Sequence, residues 1–138
     1  MLREQRLSCL CEMPHSDIKL PKKGKCILEV RSREGRDVPH FHIIGVSKKF
    51  YCAVCLDKAK YFKHGKWVDE LNNEQKEKLH IALLQKIKNE ETLWQTFVNY
   101  WNSSPEGSKN KVDISNMPDY SNIDGCIRER GEKNGKTY

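Results

Sequence analysis

Two histidines separated by one phenylalanine are the residues in this chain best spaced to do chemistry. They sit in Val38-Pro39-His40-Phe41-His42-Ile43, inside the most apolar stretch of a polar sequence. In an extended segment, residues two apart share a face. His40 and His42 then project together, with Phe41 and Ile43 on the other side. Paired imidazoles can share a metal ion or flank a phosphate. They can equally be part of a packed sheet face, since Ile44 and Val46 fall on the same side. Histidine-triad nucleotide hydrolases use His-x-His-x-His, and the third place here is Ile44, so the pattern does not extend to that chemistry.

Cys52 and Cys55 form a Cys-x-x-Cys pair, a spacing used by zinc and redox sites where a tight turn brings the thiolates together. Ala53 and Val54 favour a strand instead, which sends two residues three apart to opposite faces. A metal site drawn from His40, His42, Cys52 and Cys55 would therefore need neighbouring strands to bring them together. No second Cys-x-x-Cys, phosphate-cradling glycine loop, Gly-x-Ser-x-Gly or His-Glu-x-x-His occurs. No pair of carboxylates is spaced for acid–base work. No catalytic set is assigned beyond the two histidines as candidates, and no cofactor is expected.

The elements that must carry these residues can be read from periodicity. Cys26, Leu28 and Val30 alternate with polar positions, predicting a half-buried strand. Pro39 opens a second strand running to about Val46, because proline is tolerated at a strand's first position. Phe50 to Leu56 is apolar on both faces and reads as a central strand. Lys60 to Val68 reads as a hairpin turning at His64-Gly65. The period then changes to about 3.6. Asn72 with Gln75 makes a capping box ahead of Leu79, Leu83 and Ile87, predicting a helix over 73–88. Leu93, Trp94, Phe97, Val98 and Trp101 predict a second over 90–102. The expected fold is α+β: a small, mostly antiparallel sheet of three to five strands with both helices on one face through Leu79, Leu83, Ile87, Trp94, Phe97 and Trp101.

Residues 1–24, with Pro14, Pro21 and the breaker Lys22-Lys23-Gly24-Lys25, read as an irregular lead-in. Residues 25–102 form the α+β domain. Residues 103–138 lack an apolar repeat and read as a disordered tail that orders on a partner, with a short element possible around Ile123 to Arg128.

The chain has 138 residues, 37% of them apolar and 32% charged, enough for one domain with a lean core. No apolar run approaches the roughly 20 residues that span a bilayer. The opening segment, with Glu4, Arg6 and Glu12, cannot build a signal-peptide core. A cytoplasmic protein with reduced thiols is expected, without membrane attachment. The net charge is +6, and residues 1–36 hold nine Lys/Arg against five Asp/Glu while the part after residue 71 is balanced. A basic front half points to an acidic partner. Arg31, Arg33, Arg36, Lys48 and Lys49 flank the predicted strand turns and are the candidate phosphate contacts.

The Val38-Pro39-His40-Phe41-His42-Ile43 motif, with the strand pair after it and a helical end at Trp101, resembles the domain of unknown function 4160 family over about residues 25–102. That family carries Pro-Pro-His-aromatic/aliphatic-His; here Val38 replaces the first proline. Only Pro39, His40 and His42 carry over, as the motif itself. The resemblance implies a small cytoplasmic protein of bacterial or mobile-element origin, in gene pairs similar to toxin–antitoxin arrangements. The functional expectation is a small interaction protein that binds a protein partner or nucleic acid. A histidine-based hydrolase or nuclease, with or without a metal, and a phage-type inhibitor of a host complex are the alternatives. The oligomeric state is left open.

Overall fold

The computed structural model describes residues 14–30, 38–63, 69–105 and 107–128. Eight strands and two α-helices alternate along it: β1 His15–Leu20, β2 Gly24–Glu29, β3 His40–Gly45, β4 Tyr51–Cys55, β5 Tyr61–Lys63, α1 Asn73–Leu84, β6 Lys86–Lys88, β7 Glu91–Thr92, α2 Leu93–Ser103 and β8 Cys126–Arg128. Six strands make one sheet in the order β1-β2-β3-β4-β5-β8, and β6 and β7 make a separate two-stranded ribbon. The main sheet is antiparallel except where β8 joins β5 in parallel. This is the α+β architecture read from the sequence, with more strands.

The alternation along each strand decides where the core lies. Cys26 and Leu28 of β2, Phe41 and Ile43 of β3, and Cys52 and Val54 of β4 all turn to one face and are fully buried there against Leu79, Leu83, Trp94, Phe97 and Trp101 of the helices. Burying side chains of this size contributes about 1.5–3 kcal/mol each. The opposite face carries Ala53, Cys55 and Phe62, with Val38 and Ile127 packed on them. β4 is closed on both faces, as its uniformly apolar sequence predicts.

Both helices start on reciprocal caps. The Asn72 side chain accepts from the Gln75 amide while Gln75 Oε1 accepts from the Asn72 amide, each at 2.8 Å. Thr92 and Gln95 repeat the device at the start of α2. α1 ends at Leu84 rather than near residue 88. Asn89 and Glu90 adopt positive φ values of 43° and 67°, the left-handed pair that a tight hairpin turn needs, so the chain folds back as β6–β7. Ile87 therefore leaves the helical stripe and is 48% exposed, outside the core where periodicity placed it.

Two boundary segments differ from the sequence reading. The 1–24 lead-in contains β1, paired along its length with β2 from His15↔Glu29 to Leu20↔Gly24. Its prolines do not interrupt it, because Pro14 and Pro21 fall just outside its ends. As an edge strand it buries only Leu20 fully, too little to announce itself as a pattern. The described part of the tail, up to residue 128, is a strap docked on the domain. Val112, Tyr120 and Ile123 are buried. Trp101 Nε1 donates to the Asn110 carbonyl at 3.0 Å. Asn102 brackets the Val112 backbone with bonds of 2.8 and 3.0 Å. Tyr120 Oη donates to the Cys55 carbonyl at 2.7 Å, and Lys76 Nζ to the Ile123 carbonyl at 2.8 Å. Single anchoring side chains hold it, so no apolar repeat marks it. The proposed turn at His64-Gly65 lies outside the described residues.

Candidate functional site

The histidines stand where strand geometry puts them. Residues 40–45 are extended, and the two rings share a face with centroids 5.0 Å apart, edge to face. Across the sheet His40 pairs with Cys55, and His42 lies between Glu29 and Ala53. Both imidazoles are closed to solvent, at 2% and 1% exposure. Phe62 lies 4.5 Å from His40, and Tyr51 stacks on His42 at 5.6 Å. His40 Nδ1 donates to the Val38 carbonyl at 2.7 Å, a bond that fixes its tautomer. Packed among aromatic rings, the pair has the surroundings of core residues.

The two cysteines do not join one set. Cys55 is on the histidine face, opposite His40, whereas Cys52 is opposite Ile43 on the helix-covered face. Burial pushes the Cys55 thiol up to about 12, and burial raises Cys52 further. Both thiols are therefore held protonated near neutral pH, which leaves little thiolate for nucleophilic attack. Among the described residues no group of three or more His, Cys, Asp or Glu side chains is arranged to hold a metal ion.

The phosphate-contact candidates lead to a different part of the molecule. Arg31, Arg33 and Arg36 lie outside the described residues. Lys48 and Lys49 are exposed in the β3–β4 turn. Because β2 and β3 run antiparallel, that turn sits at the same end of the sheet as the β1–β2 turn, Pro21 to Lys23. The two are tied together: the Val46 amide donates to the Lys25 carbonyl at 3.0 Å, and Lys48 Nζ donates to the Lys22 carbonyl at 3.2 Å. Gln75, the capping residue of α1, donates to the Pro21 carbonyl at 2.6 Å and fastens the first turn to the helical layer. Gly45 is required in the second, since a Cβ there would run into the Lys48 carbonyl oxygen.

Lys19, Lys22, Lys23, Lys25, Lys48 and Lys49 thus converge on one end of the sheet. Four of them escaped the sequence reading, which took Lys22-Lys23-Gly24-Lys25 only as a breaker. The missed signal was the repetition of a lysine pair at two strand turns. Two features of this cluster work against stability. Lys19 is directly opposite Lys25 on paired strands, a like-charge arrangement that destabilises, offset in part by Asp17 at 3.5 Å from Lys25. Lys22 has φ 68°, a left-handed conformation that glycine or asparagine adopts more easily. Carboxylates also stand near this end: Asp69 accepts the Tyr51 amide at 2.8 Å at the start of β4, and Glu74 is in the first turn of α1, beside the Gln75 that reaches Pro21.

A cleft of about 380 Å³ opens between the β4–β5 loop and the strap, bordered by Asp57, Lys58, Asp113, Asn116 and Asp119. Its carboxylates serve local turns: Asp113 accepts from Ser115, and Asp119 from Ser121 and Asn122. These bonds hold both below the usual carboxylate range. Among the described residues no helix is long and apolar enough to cross a membrane. No family model, curated protein or solved structure matches the chain.

Proposed function

We propose that this chain is a small interaction protein acting in the cytoplasm, and that nucleic acid is the partner its lysine turns fit. The observation that carries the reading is the convergence of six lysines at one end of the sheet, four on two turns tied to each other and two on the strands β1 and β2 beside them. A like-charge pair and a left-handed lysine are retained there at a cost to the fold. That is expected of charge kept for a partner, because lysines neutralising phosphates release condensed counterions on binding. The mobile-element or toxin–antitoxin setting rests only on the resemblance around Pro39-His40-Phe41-His42. A partner protein with an acidic surface would exploit the same cluster more weakly, having a lower density of fixed negative charge. Both imidazole rings are sealed from solvent, which speaks against a histidine-based hydrolase.

The test is fluorescence anisotropy with a labelled oligonucleotide across a salt series. The expected result is binding whose affinity falls steeply and linearly on logarithmic axes as salt rises. Absent binding, or binding indifferent to salt, overturns the reading.

A further inference from the structure

The lysine turns also bear on which kind of nucleic acid they suit. Proteins that hold single strands combine a basic groove with open aromatic faces on which bases stack. Among the described residues the aromatic rings at this end are engaged elsewhere. Phe50 is 3% exposed and has Lys23 Nζ over its face at 5.0 Å, while Tyr51 stacks on His42. Without stacking, charge density decides. The turns stand on four adjacent strands, which at about 4.8 Å per strand span about 14 Å. That length of duplex carries about eight phosphate charges, and of one strand about half as many. The hydrogen bonds between the turns make the lysines a fixed platform rather than a wrapping arm, so the denser lattice of charge is favoured.

Among the described residues this end has no element built for base reading. Sequence is read by arginine or lysine on guanine and by asparagine or glutamine on adenine, from a helix or ribbon that lies in the major groove and aims them at base edges; lysines on turns are not carried by such an element. Among the described residues these turns present lysines, which act as point charges. Gln75, whose side-chain amide reaches the first turn, is buried and committed to Pro21 and Asn72.

We propose that the β1–β2 and β3–β4 turns form a sequence-independent contact for the phosphate backbone of double-stranded nucleic acid. This rests on the reading of the lysine end as a nucleic-acid interface. The experiment uses the full chain with three probes: two DNA duplexes of unrelated sequence, each about two helical turns long, and one strand of the first. Labelled poly-glutamate serves as an acidic-protein stand-in. Expected is affinity for the two duplexes equal within about twofold, clearly above that for the single strand, with a logarithmic salt slope of about −4 for four to five phosphates. The Lys22→Glu, Lys48→Glu double variant is expected to lose at least about tenfold in affinity and to flatten the slope by about two. Lys49→Glu, which touches neither tie between the turns, is expected to flatten it by about one. Tighter binding to the single strand, or a strong preference between the duplexes, overturns this inference and leaves the proposed function standing. Binding of labelled poly-glutamate with no binding of any of the three nucleic-acid probes overturns both. Unchanged slopes in both variants, with the wild type still bound to duplex, move the interface off these turns and overturn the inference.

Discussion

The imidazole pair and the lysine turns belong to the same sheet, with Lys48 and Lys49 within ten residues of His40 and His42, and they face water in opposite ways. His40 and His42 are the side chains with the richer chemistry, yet they lie at 2% and 1% exposure among Phe62, Tyr51 and each other. The lysines have the plainer chemistry and stand in solvent on turns braced by backbone bonds. The contrast teaches that reactive residue types at a suggestive spacing mark a site only if something can reach them. In this sheet the fold spends the His40–His42 pair on packing and its lysines on the surface.

That division can be broken by substitution. The largest effect is expected from His40→Ala with His42→Ala. Removing two enclosed rings is expected to cost at least about 3 kcal/mol in urea unfolding, while the protein that remains folded keeps its salt slope for duplex. A lost slope with intact stability would reverse the assignment of the two regions. Gly45→Ala comes next and bridges them. The added methyl meets the Lys48 carbonyl and crowds Phe50 Cβ at 3.1 Å. About 1–3 kcal/mol of stability is expected to go, together with duplex affinity, since the turn must shift. Tyr120→Phe removes the 2.7 Å bond to the Cys55 carbonyl. About 1–2 kcal/mol is expected, read as faster amide exchange in residues 107–128. Lys49→Glu is expected to change stability by less than about 0.5 kcal/mol, its effect being confined to binding.

The histidine face makes one further prediction, in pH. The Cys55 thiol is raised from about 9 to about 12 by burial. A thiol whose folded value lies above its unfolded one contributes its stability in full below about pH 9 and loses it as the pH climbs toward 12, because the unfolded chain gives up the proton first. Cys52 and Tyr61 act in the same direction. Urea midpoints are expected to fall between pH 8 and pH 10, and less so in Cys55→Ala. A flat profile in the wild type would mean that this face is open to water.

Much of the fold was legible because its signals are local. The 2-residue alternation of Cys26, Leu28 and Val30, the doubly apolar β4 and the Asn72–Gln75 cap each need only neighbours in sequence. Thr92 with Gln95 was equally readable and would have set the start of α2 correctly. Ile87 was misassigned because its spacing from Leu83 satisfies a helix, while the hairpin that removes it depends on left-handed Asn89 and Glu90. β1 and the strap were missed for a shared reason. Each is stabilised by pairing with a distant segment and shows few apolar positions of its own. Of the candidate site, Lys48 and Lys49 were visible, but Lys22, Lys23 and Lys25 joined them only once β2 and β3 were set side by side.

By itself the sequence determined the α+β class, the strand that carries the two histidines on a common side, the aromatic stripe of the second helix and the excess of positive charge in the front half. These follow from the repeat of the backbone and from composition, which distance along the chain does not alter. Tertiary structure alone decided that the histidines are enclosed, that Cys52 and Cys55 are parted by the sheet, that the strap closes over Cys55, and that two lysine turns meet at one end. Those are matters of which remote segments come into contact, and solvent access and charge convergence exist only after that contact is made.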